Sequence, residues 1–287
     1  MQFASYNIRG RTSFGIVVGD GIVDLRLRLS PRYQSLFDVL RAGAMDEAQA
    51  ALTGVRADFP VAEAEFLNPV VGGEKILCIG VNYANRGAEL TSAGGNEDAK
   101  YPSMFFKPPN AFVGHNQPIL RPPESEQLEY EGEIALVIGK TGRRIPKERA
   151  LEHVIGVTMC NEGTIRDWIR HGRFNVTQGK SWESTGSMGP WMTTGVDLTK
   201  PLHITVKING EVTQDDTTDS MIFKFIDILS YVSTFMTLKP GDIIVTGTPT
   251  KLNQKDGERK WLKAGDEFEM HVPEIGTLRN KVMDEKA

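Results

Sequence analysis

Cysteine is scarce. The 287 residues contain two, Cys78 and Cys160, both in apolar, strand-like settings (KILCIGV and GVTMCN). Two thiols cannot staple a chain of this length, so two buried free thiols in a reducing, cytoplasmic setting are expected. The sequon Asn175-Val176-Thr177 then meets no glycosylation machinery. Excess positive charge is missing too: 33 Lys and Arg against 37 Asp and Glu leave a net charge of −4, with no basic field to attract nucleic acid. No apolar run is long enough to span a bilayer. The opening MQFASYNIRGR lacks a charged segment followed by an apolar one, so neither a membrane span nor a signal peptide is expected. The five histidines (115, 153, 171, 203 and 271) have no zinc-like spacing. His153 and His203 read as ordinary core or surface histidines. Gly179-Lys180-Ser181 has the ending of a phosphate loop, but the glycine required five residues earlier is Phe174. No dinucleotide fingerprint follows a strand, and no G-x-S-x-G elbow exists.

What the chain does have is EYEGEIALVIGK, Glu129 to Lys140. Ile134, Leu136, Val137 and Ile138 form a near-continuous apolar run ending at Gly139, the pattern of a strand buried on both faces. Strand side chains alternate, so Glu131 and Glu133 share a face. Two adjacent carboxylates at the mouth of an apolar strand repel and resist desolvation. Two readings stand at this point: a hard divalent cation between them, Mg²⁺ or Mn²⁺, or a strand end that simply faces water.

Around this strand the elements are short. Phe3 to Ile8, Phe14 to Val18 and Gly21 to Asp24 read as strands, with a hairpin turn at Gly19-Asp20-Gly21. Two helices follow, Ser35 to Arg41 and Met45 to Thr53. Pro60, Asn68, Pro69, Gly72 and Gly73 punctuate the crossing to the main body. Strands are expected over Lys75 to Val81, Ser103 to Lys107, Val154 to Cys160 and Leu202 to Ile208, the last turning at Asn209-Gly210. A short helix is expected over Thr164 to Arg170, and a longer one over Met221 to Met236, capped by Ser220. Many short strands and few long helices predict a β-rich α+β fold.

These segments, taken in order, resemble the fumarylacetoacetate hydrolase superfamily. The pieces are ILCIGVNY (76–83), FFKPPNAFVG (105–114), YEGEIALVIGK (130–140), GVTMCNEGTIRDW (156–168), GKS (179–181), GPW (189–191), KPGDIIVTGTP (239–249) and GTLRNKV (276–282). The resemblance implies a catalytic core of mixed β-sheets, or β-roll, over residues 70–287, preceded by a small α+β domain over 1–69. It implies one Mg²⁺ or Mn²⁺ per chain, held by Glu131, Glu133 and Glu162, the last standing where the family usually has Asp. Glu129 is the runner-up ligand. It further implies a catalytic Lys180 and substrate contacts from Thr248, Lys107, Tyr83, Arg166 and Arg173. The substrate implied is a small 2-oxo acid. A homodimer is carried over as an expectation, with neither nucleic acid nor membrane as partner.

One departure bears on the chemistry. Where hydrolases of the family show N-Y-x-x-H-x-x-E, this chain has Asn82-Tyr83-Ala84-Asn85-Arg86-Gly87-Ala88-Glu89. Arginine stays protonated and cannot act as general base. Glu89 could take over, His115 could supply an imidazole, or water activation is absent. A second departure is Lys251, where the family usually has Gly. The leading expectation is a hydrolase cleaving the C–C bond of an acylpyruvate, such as fumarylpyruvate or maleylpyruvate, in aromatic-compound catabolism. The alternatives are a keto–enol tautomerase, isomerase or decarboxylase of 2-oxo dicarboxylates, and an inactive binding protein of the same fold.

Overall fold

The structure is a computed structural model that describes residues 1–52, 54–84, 100–172, 175–252 and 259–286. The first part of the chain supplies β1 (Gln2–Ile8), β2 (Arg11–Val18), β3 (Gly21–Asp24), β4 (Phe59–Pro60) and β5 (Glu65–Phe66). Then come β6 (Ile76–Gly80), β7 (Ser103–Phe106), β8 (Phe112–Val113), β9 (Ile119–Arg121) and β10 (Leu128–Glu129). The centre holds β11 (Gly132–Ile138), β12 (Val154–Asn161), β13 (Thr164–Ile165) and β14 (Gly186–Thr193). Last are β15 (His203–Ile208), β16 (Glu211–Thr217), β17 (Ile243–Val245), β18 (Glu267–Val272) and β19 (Gly276–Asp284). The fold is strand-rich α+β, as the pattern of short segments predicts.

A 12-stranded sheet runs β4-β3-β2-β1-β14-β12-β11-β17-β6-β7, with β5 on β1 and β8 on β14. A five-stranded sheet runs β16-β15-β18-β19-β9, and β10 pairs with β13. β1 pairs with β14, Gln2 opposite Thr193, so the leading strands extend the large sheet. The 19–20 turn closes β2 onto β3 with Gly19 at φ 61°. The Asn209-Gly210 turn closes β15 onto β16, both residues at positive φ.

β11 sits in the middle, between β12 and β17. Ile134, Leu136 and Ile138 face one core with Leu229 and Val232 of the helix Phe225–Phe235 and Val206, Met270 and Leu278 of the smaller sheet. Ala135 and Val137 face a second core with Phe3, Ile16, Leu36 and Leu40. The apolar run is therefore buried on both faces. Its Glu-bearing end, unlike the run itself, must solve a charge problem. Among the described residues no helix is long and apolar enough to cross a membrane.

Two expectations change. Thr164 to Arg170 is not a helix: Thr164 and Ile165 pair with Glu129 and Leu128, and a 3₁₀ turn follows over Arg166–Trp168. Sheet pairing overrides local propensity here and brings Arg166 beside Glu129. The helix expected from Met221 begins at Phe225. Asn82 holds the preceding residues extended, accepting from Ile222 N–H at its backbone oxygen and from Phe223 N–H at its side chain, both at 2.8 Å. Ser220 donates to Asp216 instead of capping a helix.

Candidate active site

Antiparallel pairing of β11 with β12 sets Gly132 opposite Asn161 and Glu133 opposite Cys160. Glu131 thus precedes one strand and Glu162 follows the other at the same end of the sheet. Two hydrogen bonds lock the junction: Glu162 N–H donates to Glu131 O at 2.8 Å, and Glu131 N–H to Asn161 Oδ1 at 2.9 Å. Glu131, Glu133 and Glu162 each bring a carboxylate oxygen within 4.8 Å of the others. All three are buried, at 5%, 2% and 1% exposure. Burial first, then Glu162 and Glu131, push the Glu133 carboxyl well above the ordinary carboxylate range. Burial also raises Glu162, against the pull of Lys107 and Lys180. Glu133 Oε2 accepts from Gly247 N–H at 2.5 Å, but no cation among the described residues makes an ion pair with Glu133. Three converging oxygen donors, one of them without an ion-pair partner among the described residues, fit a hard divalent ion.

Cations flank the triad in unbroken alternation. Lys107 Nζ lies 2.6 Å from Glu162 Oε1 and 2.5 Å from Gly163 O. Lys180 Nζ pairs with Glu162 Oε2 and lies 2.5 Å from Glu131 Oε2. Arg166 Nη2 lies 2.7 Å from Glu131 Oε1, and its Nε pairs with Glu129 Oε2. Lys251 Nζ closes the row 2.5 Å from Glu129 Oε1, over the Tyr130 ring at 4.2 Å. Burial disfavours the Lys180 ammonium, yet Glu131 and Glu162 hold its proton above the ordinary lysine range.

This constellation sits within a matched family segment. Residues 75–283 match the model described as Fumarylacetoacetate (FAA) hydrolase C-terminal. The chain belongs to the fumarylacetoacetate hydrolase family. Within that family it is 34% identical over 271 residues to the mitochondrial oxaloacetate tautomerase Fahd2a of Rattus norvegicus, covering 93% of this chain and 85% of that one. It is 33% identical over 304 residues to the oxaloacetate tautomerase YisK of Bacillus subtilis, covering 98% and 100%. Among solved structures it is similar to maleylpyruvate hydrolase from Sphingobium sp. SYK-6 in complex with manganese(II) and pyruvate. There the TM-score is 0.80 at 25% identity, with both chains covered in full.

Lys180, Lys107 and Arg166 join the triad directly. Thr248 is buried, and its hydroxyl oxygen accepts from Gln214 Nε2 at 2.8 Å. Tyr83 is buried with its hydroxyl unpartnered. Burial, then the nearby Glu133 charge, push that phenol well above its ordinary range. Glu129 does not join the triad; Arg166 and Lys251 share it. His115 has other partners. Its Nδ1 accepts from the Arg279 N–H at 3.0 Å and its ring stands edge-on to Phe66. Burial, then Arg279, lower its pKa to about 4. Arg86, Glu89 and Arg173 lie outside the described residues. Lys180 ends a short helix, Thr177–Lys180.

Two site residues escaped the sequence reading. Gln214 receives the Gly132 N–H at 3.3 Å and donates to Thr248 and to Pro249 O, tying β11 to the turn after β17. Nothing in EVTQDDT marks it. Lys251 stands out in sequence only as a departure from the family's usual Gly; the structure shows a buried ammonium paired with Glu129.

Proposed function

We propose that the protein is a divalent-metal-dependent tautomerase or isomerase of 2-oxo dicarboxylates, moving a proton between carbon and enol oxygen, with oxaloacetate as the type substrate. The observation that carries this reading is where the histidines go. All five lie among the described residues. His115 binds the Arg279 backbone, His153 the Lys140 carbonyl, His203 Asp215 and His271 Thr277, while His171 packs on Trp168. None hydrogen-bonds to the acidic cluster. With Arg86 in the place of the family's histidine, water activation for C–C hydrolysis has no imidazole to draw on. The resemblance to two oxaloacetate tautomerases supports the same choice.

A divalent ion held by Glu131, Glu133 and Glu162 supplies Lewis acidity that stabilises an enolate. The chain's own groups do the rest. Lys107, Lys180, Arg166 and Lys251 balance Glu129, Glu131, Glu133 and Glu162, four charges of each sign. A bound divalent ion therefore leaves two positive charges, which a dicarboxylate neutralises. The Thr248 hydroxyl accepts from Gln214, which leaves its hydrogen to donate to a substrate carboxylate. The Tyr83 phenol, high in pKa and unpartnered, is a neutral donor for the developing enol oxygen. Tautomerisation breaks the C3–H bond and forms an O–H bond, and Glu89 is the proposed proton carrier.

The test follows enol oxaloacetate by ultraviolet absorbance, with deuterium exchange at C3 read by NMR, in Mn²⁺-loaded protein. Accelerated ketonisation and exchange without C–C cleavage are expected. Pyruvate release from acylpyruvates, with no effect on oxaloacetate, would return the reading to a hydrolase, which the likeness to maleylpyruvate hydrolase supports.

A further inference from the structure

Several partners among the described residues share the carboxylate oxygens of the triad. Glu131 gives Oε1 to Arg166 and Oε2 to Lys180 and to the Thr164 hydroxyl. Glu162 gives Oε1 to Lys107 and Oε2 to Lys180. Glu133 gives Oε2 to the Gly247 N–H. Lys180 is thus the one side-chain cation, among the described residues, that bridges two members of the triad. Arg166 and Lys107 grip each carboxylate from its other oxygen. Lys180 holds one oxygen of each residue, so an ion held by Glu131 and Glu162 would compete with its ammonium there.

We infer that Lys180 is an exchangeable counter-ion of the metal site: its ammonium neutralises Glu131 and Glu162 until a divalent ion takes their oxygens, and is thereby released toward the substrate. The inference rests on the metal-dependent reading above and adds an order of events to it. Its physical basis is charge. An ammonium 2.5 Å from Glu131 Oε2 and paired with Glu162 Oε2 cannot keep that place beside a doubly positive ion without strong repulsion. Arg166 and Lys107 face no such conflict. The segment carrying Lys180 favours exchange as well. It ends a helix of one turn, Thr177–Lys180, with no side-chain cap. The ammonium lies over the Phe105 ring, 4.9 Å from its centroid, an aromatic face along which it can swing. Lys180 then performs two tasks at different times: it compensates the buried carboxylates before metal arrives, and it offers a positive charge to a substrate oxygen afterwards.

The test measures Mn²⁺ affinity by titration calorimetry for the wild type, Lys180→Met, Lys180→Arg and Glu133→Gln. Removing the competing cation should tighten Mn²⁺ binding at least tenfold in K180M, whereas K180R, which keeps the charge, should bind no more tightly than the wild type. E133Q should bind at least tenfold more weakly. Equal or weaker binding by K180M than by the wild type overturns the exchange. Absence of Mn²⁺ binding by the wild type instead overturns the metal-dependent reading itself. Should K180M fail to fold, reductive methylation of the wild type gives the answer: Lys180 should be protected without Mn²⁺ and labelled faster with it, while Lys107 stays protected. Unchanged labelling of Lys180 in protein shown to bind Mn²⁺ overturns the inference.

Discussion

Replacing Lys251 by methionine removes a buried cation and leaves its partner in place. Both side chains of the Lys251–Glu129 pair are 1% exposed, with Nζ 2.5 Å from Oε1. Breaking a buried pair from one side costs about 3–5 kcal/mol, because the remaining charge stays buried. Glu129 keeps Arg166, so the lower end applies, about 3 kcal/mol. For a chain of this size that corresponds to a fall in Tm of about 6–12 °C, at roughly 2–4 °C per kcal/mol. Methionine fills nearly the same volume against Tyr130, so a packing defect contributes little. The double variant Lys251→Met, Glu129→Gln removes both charges and should be less destabilised than the sum of the singles by about 1 kcal/mol or more. Denaturant unfolding followed by circular dichroism measures all four corners of the cycle. A K251M protein within about 1 kcal/mol of the wild type, or strict additivity in the cycle, would refute the electrostatic role of Lys251.

Three further outcomes follow from the same geometry. His115 has its pKa lowered from 6.5 to about 4 by burial and Arg279. The unfolded chain therefore takes up its proton first as pH falls, and the stability due to the neutral ring is lost between pH 6.5 and 4. His115→Gln, which keeps an acceptor for the Arg279 N–H, should flatten the stability-versus-pH curve in that window; an unchanged slope refutes the assignment. A Cβ at Gly163 would stand 1.8 Å from the Thr185 carbonyl oxygen, so Gly163→Ala should cost about 3 kcal/mol. Because it displaces the backbone beside Glu162, it should also weaken Mn²⁺ binding in calorimetry. Gly247→Ala should do the same on the other side of the triad: Gly247 has φ 101°, its Cβ would meet the Asn82 Cβ at 2.6 Å, and its N–H serves Glu133. Mn²⁺ affinity equal to that of the wild type in both variants would contradict this backbone role.

Period-two alternation and the apolar run were enough to read β11 as a central strand with two carboxylates at its mouth. Spacing alone left open whether those carboxylates faced water. Glu162 lies far along the chain from Glu131, and only the family resemblance singled it out. The structure supplies the reason: β11 and β12 pair so that Glu131 and Glu162 flank matching strand ends. Lys180, Lys107 and Arg166 were legible in the same way, through motif and not through physics. Gln214 and Lys251 were not legible because their roles depend on contacts across 82 residues to Gly132 and 122 residues to Glu129. Local pattern also failed at Thr164 to Arg170, where pairing with β10 outweighs helix propensity and delivers Arg166 to the cluster. Asn82 does the same at Met221, holding extended a stretch whose apolar stripe reads as helix.

The account depends most directly on a divalent ion among Glu131, Glu133 and Glu162. Crystals soaked in Mn²⁺ and measured at the manganese absorption edge should show one anomalous peak per chain, bounded by oxygens of those three residues. The peak should be absent in Glu133→Gln. An ordered map with no peak between them, or a peak ligated elsewhere, would contradict it.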